Sequence, residues 1–116
     1  HKAPSYISWS CENRSQLVRI PAAVGEYRRV ELRSPDPTAN PYLAFALLIH
    51  AALDGITNRL NLCEAADFNL YTAGPEILSA YEKLPDSFQE ACRIAASSEF
   101  IKAHIPADII EIYCKE

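Results

Sequence analysis

A run of prolines divides this chain more sharply than any other feature. Pro35 and Pro37 flank Asp36, and Pro41 follows directly on Asn40. Proline has no backbone N–H, so two of them this close cannot continue a sheet ladder. Pro41 after Asn40 has the opposite effect, because Asn caps a helix and Pro fits its first position. The break predicts strands before it and helices after it.

The pattern on each side agrees. Residues 6–10, 16–20 and 28–33 carry β-formers with the period-two alternation of half-buried strands. Beyond the break, a helix is predicted from Pro41 to about Asp54, stopping near Gly55. Between Leu43 and Leu53 only His50 is polar, so this helix is expected to be buried on several sides and packed on the sheet through Leu43 and Leu47. His50 reads as a partnered core histidine. Residues 58–73 read as a loop. Further helices are expected over 75–84, with Ile77, Leu78 and Tyr81 on one side, and over 87–96, capped by Asp86, with Phe88, Cys92 and Ala95 inward. Two more follow over 98–103 and 107–115. The expected class is α+β in one domain over 1–116. About three antiparallel strands occupy roughly 5–34, and a helical cluster occupies roughly 40–116. An open sheet edge of this kind favours self-association.

Composition narrows the function. Apolar residues make up 49% and charged residues 22%, the balance of a folded soluble chain. The longest nearly apolar run is too short for a membrane span, which needs about 20 residues. No segment near the N-terminus has the layout of a signal peptide, and none is expected. The start at His1 rather than Met fits processing or an excised fragment. The net charge of −4 argues against general nucleic-acid binding. That charge is uneven. Residues 1–40 hold six Lys/Arg against four Asp/Glu, and residues 41–116 hold five against eleven. Five of the seven Arg precede Pro35, which makes a local anion site plausible, although ordinary surface charge reads the same way. Cys11, Cys63, Cys92 and Cys114 have no metal-site spacing and read as free thiols of a cytoplasmic protein.

The chemistry gathers on the third strand. Residues two apart share a strand face, so Arg29, Glu31 and Arg33 alternate plus, minus, plus at about 6.5–7 Å per step. Such a face suits a divalent cation on the carboxylate and anions on the guanidinium groups. It equally suits a solvated face with cross-strand ion pairs. Pairing of strands two and three would bring Arg19 alongside, with Arg14 just upstream. Several Arg around one Glu repel one another unless an anion joins them.

Asn13-Arg14-Ser15 followed by Val18-Arg19-Ile20-Pro21 resembles the signature of glutamine synthetases. Arg29 to Asp36 resembles their R-x-E-x-R-x-P-D strand. Thr38-Ala39-Asn40-Pro41-Tyr42-Leu43-Ala44-Phe45 and Leu53-Asp54-Gly55-Ile56 resemble the helix that follows it. The resemblance is specific over about residues 9–56 and weaker beyond. It covers the C-terminal part of that family's catalytic domain.

The resemblance implies an enzyme that makes glutamine from glutamate, ammonia and ATP through γ-glutamyl phosphate, in homo-oligomers of stacked rings. It implies Arg14 on the ATP phosphates and on the glutamate or acyl phosphate, Arg19 on ATP phosphates, and Arg29 beside the nucleotide. Glu31 would be a ligand of Mg²⁺ or Mn²⁺, and Arg33 would hold the glutamate carboxylate. Arg14 and Arg33 would be the catalytic pair. Glu26 and Tyr27 stand where many relatives carry a Lys. Asn69-Leu70-Tyr71 resembles a segment that is adenylylated in some relatives. Here Thr72-Ala73-Gly74 follows in place of the usual acidic-Leu-Pro run, and Tyr71 reads as a packing or loop residue. The amine could also be a polyamine, or the module could be non-catalytic. The chain alone is expected to be inactive, because the other metal carboxylates lie elsewhere in the family.

Overall fold

A computed structural model describes residues 3–115. They form three short strands, β1 (Trp9–Ser10), β2 (Val18–Arg19) and β3 (Glu31–Leu32), and five helices. The helices are α1 (Pro41–Thr57), α2 (Pro75–Leu78), α3 (Phe88–Ser97), α4 (Glu99–His104) and α5 (Ala107–Tyr113). The α+β class stands. The chain divides into two compact units: one runs up to Asp36 and adds Cys63–Leu84, and the other holds Pro37–Leu62 and the residues from Pro85 onward. No helix among the described residues is long and apolar enough to cross a membrane.

The first unit holds the sheet, in the order β1-β2-β3. The expectation of three antiparallel strands is corrected: β1 and β2 run parallel, with Trp9 opposite Val18, and only β2 and β3 are antiparallel, with Arg19 opposite Glu31. Parallel neighbours ordinarily need a long crossover. Here each strand has two residues, so the short link between them can double back. Side chains shape that link. Ser10 Oγ accepts from the N–H of Glu12 at 3.1 Å and of Asn13 at 3.2 Å, and Asn13 Oδ1 accepts from Ser15 N–H at 2.9 Å. The outer edge of β1 is partly covered, since Ala66 N–H donates to Trp9 O at 2.8 Å.

The core of this unit is largely polar. Ala66 and Leu70 are buried, but so are Ser8, Ser10, Ser15 and Gln16. A buried polar group is tolerated when its hydrogen bonds are made. Gln16 Nε2 donates to Ala66 O at 2.6 Å and to Phe68 O at 2.8 Å, and Trp9 Nε1 donates to Cys63 O at 2.7 Å. The loop predicted over 58–73 is therefore pinned to the sheet by side chains. The helix expected over 75–84 is corrected to the four residues of α2. Residues beyond it are drawn away by pairing: Ile7 N–H donates to Glu82 O and Leu84 N–H to Ser5 O, both at 2.8 Å.

The second unit is helical. Asn40 caps α1 as expected, accepting from the N–H groups of Tyr42 and Leu43. Gly55 does not stop this helix. It continues to Thr57, where Arg59 adopts φ 49° and Leu60 N–H returns to Gly55 O at 3.0 Å. That is a Schellman closure, with Arg59 in the left-handed position that glycine usually fills. Helix α3 is capped by Ser87, whose Oγ accepts from Glu90 N–H, rather than by Asp86 as expected. Asp86 N–H instead donates to Glu90 Oε2.

Helix α1 is also not the buried helix that its composition predicts. None of its residues is buried, and Tyr42 is 84% and Ile56 74% exposed. Leu43 and Leu47 do face inward, but they line an apolar cavity of about 120 Å³ with Ile101, Ile105, Ile109 and Tyr113. A helix apolar all round needs partners on several sides, and within this unit α4 and α5 cover one stripe. Cys92 is buried as expected, whereas Phe88 is exposed. His50 is half-buried, and its partner is His104, stacked at 3.9 Å between ring centroids.

Candidate functional site

The β2–β3 register builds the site in the first unit. Antiparallel pairing sets Arg19 opposite Glu31, and Arg19 Nη1 lies 3.0 Å from Glu31 Oε2. Arg29, two residues before Glu31, reaches forward to the other oxygen. Its Nε and Nη2 both lie 3.0 Å from Glu31 Oε1. Both carboxylate oxygens are thus held by guanidinium groups. The hydrogen bond from Arg19 is the largest cause that lowers the pKa of Glu31 below its ordinary value, with the Arg29 bond and the two positive charges adding to it. Glu31 therefore favours its ionised form more than an ordinary carboxyl does.

The two arginines differ in freedom. The Arg19 side chain is 20% exposed and the Arg29 side chain 55%. Arg19 is the more enclosed partner, and Arg29 is the more exposed one. Arg33 directly follows β3, which is shorter than the strand expected over 28–33, and is half-buried, with its backbone N–H donating to Leu17 O at 2.9 Å. Two buried donors near this sheet are unpaired, Arg19 Nε and Arg33 Nη1. A buried unpaired donor costs free energy, and an oxyanion is the ligand that satisfies a guanidinium N–H best. Arg14 is exposed at the turn between β1 and β2. The structure joins Arg19, Glu31 and Arg29 by direct bonds. Arg14 and Arg33 are on the same unit but are not bonded to that cluster.

Sequence reasoning passed over Arg28. It lines an open pocket of about 430 Å³ with Arg29, Ile20, Pro21, Ala23 and Val30. The adjacent Arg28-Arg29 pair was the available signal. Strand alternation gave weight only to every second residue, but β3 is too short for that alternation to reach residue 28.

The described residues contain no group of three His, Cys, Asp or Glu side chains able to hold a divalent cation. Glu31 offers a single carboxylate, and Mg²⁺ needs several oxygens. These residues do not make a cation site by themselves.

With that geometry in place, comparison with known proteins gives a consistent result. The family model described as glutamine synthetase, catalytic domain, matches residues 1–116. The chain is 40% identical over 115 residues to a glutamine synthetase of Methanosarcina mazei, an alignment covering 97% of this chain and 26% of that protein. It is 41% identical over 104 residues to glutamine synthetases of Clostridium saccharobutylicum and Staphylococcus aureus, covering 88% of this chain and 24% and 23% of theirs. The chain spans about a quarter of the length of these curated relatives.

Proposed function

This chain belongs to the glutamine synthetase catalytic-domain family, and on that premise we propose that it supplies the anion-binding strand face of an ATP-dependent ligase joining ammonia to glutamate. In that reaction a glutamate carboxylate oxygen attacks the terminal phosphorus of ATP, and the bond to ADP breaks. Ammonia then attacks the acyl carbon of γ-glutamyl phosphate, and phosphate leaves with the bonding electrons. Several anions must be brought together, so the work lies in positioning and in cationic stabilisation of spread charge.

The observation that carries this reading is the pair of unpaired buried donors, Arg19 Nε and Arg33 Nη1, in a sheet where arginines outnumber the one carboxylate they surround. Arg19 and Arg14 would take ATP phosphates, with Arg14 also on the acyl phosphate. Arg29, the exposed partner of Glu31, would turn toward the nucleotide. Arg33 would hold the glutamate carboxylate. Glu31 would give one ligand to Mg²⁺ or Mn²⁺, which supplies charge neutralisation at the phosphates, and the remaining ligands must come from outside this chain. We place the parent in the cytoplasm, as a homo-oligomer of stacked rings, and read the chain by itself as inactive.

The test is an assay of the full-length protein that carries this segment, with ATP, Mg²⁺, glutamate and ammonia. Phosphate and glutamine should form in equal amounts. Phosphate release without glutamine, or glutamine formation unaffected by Arg19→Ala, would overturn the reading.

A further inference from the structure

We propose that Gln16 is a positioning residue for Arg14, and that it acts by gripping the segment from Ala66 to Leu70. The role of Arg14 as a phosphate-binding cation rests on the reading above. The grip itself rests on the hydrogen bonds alone.

Arg14 is an exposed member of the β1–β2 link, and the residues on either side of it are tied down. Ser15 is 2% exposed and Gln16 is fully buried. Ser15 Oγ donates to Asn13 Oδ1 at 2.8 Å and accepts from Leu70 N–H at 2.9 Å. Gln16 Nε2 donates to two carbonyls, Ala66 O at 2.6 Å and Phe68 O at 2.8 Å. On the other side, Ser10 Oγ holds the N–H groups of Glu12 and Asn13. The base of the Arg14 side chain is therefore set by contacts on both flanks, and its guanidinium approaches an anion from a fixed origin. A pre-set cation gives up less freedom on binding than a mobile one.

The chemistry of the side chain fits this task. Residues 66 and 68 are two apart, and one NH₂ group with two hydrogens can satisfy both carbonyls. Gln16 Oε1 is buried without a partner, so the side chain is oriented for its donors. An aliphatic residue of similar size would leave both carbonyls unpaired in a water-poor site. The segment is then left to the bonds from Ser10 Oγ to Asp67 Oδ1, from Leu70 N–H to Ser15 Oγ and from Ala66 N–H to Trp9 O, so the turn loosens beneath Arg14 while Arg19 and Glu31 keep their footing in the β2–β3 ladder.

The test is a double-variant cycle in the 116-residue chain, using Gln16→Met, Arg14→Ala and the two combined, with ATP as the probe. Gln16→Met should raise the ATP dissociation constant about threefold to tenfold when Arg14 is present. It should have no effect in the Arg14→Ala background. An equal loss in both backgrounds means that Gln16 only supports the fold, and overturns the proposal. Trp9→Phe removes the tie to Cys63 O, just before the gripped segment, and should leave ATP affinity unchanged. If Gln16→Met does not fold, Ser15→Ala takes its place in the cycle, with the same expected pattern. Amide hydrogen exchange supplies a readout independent of nucleotide. Residues 12–17 should exchange faster in the variant, with Val18 and Arg19 unchanged, and unaltered exchange over 12–17 would overturn the grip. Failure of the unmodified chain to bind ATP would count against the nucleotide reading, and the exchange measurement would still decide the grip.

Discussion

Arg19 stands opposite Glu31 in the β2–β3 ladder, and its Nη1 lies 3.0 Å from Glu31 Oε2. Backbone register, not side-chain flexibility, brings this pair together. Arg29 reaches the other carboxylate oxygen from two residues before Glu31, with Nε and Nη2 both at 3.0 Å from Oε1. The result is one more enclosed cation and one more exposed cation on a single carboxylate.

Glu31 gives the chain a pH signature. Its pKa is lowered in the folded state, chiefly by the hydrogen bond from Arg19. A depressed carboxylate contributes stability that is fully present above its unfolded value, near 4.5, and is lost as pH falls through the lower folded value. The stability of the natural chain relative to Glu31→Gln should therefore be constant above about pH 5 and shrink below it. Denaturant melts of both forms from about pH 3 to about pH 7 check this. A gap that widens in acid would contradict the ion-pair geometry.

In the full-length protein, Arg33→Ala should raise the KM for glutamate about 10- to 100-fold while leaving the KM for ATP little changed, the scale of losing one charge-assisted hydrogen bond. Steady-state kinetics with each substrate varied in turn separate the two. Unchanged glutamate kinetics would remove Arg33 from the proposed site.

Glu31→Ala in the same protein should weaken the apparent affinity for Mn²⁺, read by a metal titration without substrates. It should abolish most ligase activity as well. Retained metal affinity would show that Arg19 and Arg29 are this carboxylate's whole purpose.

The two ends of α1 predict opposite effects. Asn40 caps the helix and donates from Nδ2 to the Tyr113 hydroxyl at 2.6 Å, so Asn40→Ala should cost about 1–2 kcal/mol of stability. Arg59 occupies a left-handed conformation that costs an L-residue about 1–2 kcal/mol, so Arg59→Gly should raise the melting temperature. Thermal unfolding followed by helical circular dichroism measures both.

The isolated chain should show no ligase turnover. A single carboxylate binds Mg²⁺ weakly, and open guanidinium groups are screened by water and salt. ATP should bind weakly, with affinity falling as salt is raised. Calorimetry at low and moderate ionic strength reads the second claim, and a glutamine assay of the pure chain reads the first.

Local chemistry was legible in the residues alone. Pro35, Pro37 and Asn40-Pro41 mark the change from strand to helix, because a missing N–H and a side-chain cap act within a few residues. The motifs around Arg14, Arg19 and Glu31 identify the family for the same reason, since they are contiguous in the chain. What needed tertiary structure was everything set by residues far apart. The parallel pairing of β1 and β2 depends on how the link between them folds back. The burial of Gln16 depends on two carbonyls 50 and 52 positions away. The end of α2 depends on residues 82–84 pairing with residues 5–7. The exposure of α1 is the clearest case: its composition calls for partners all round, but burial is a property of neighbours, and within its unit neighbours cover only one stripe.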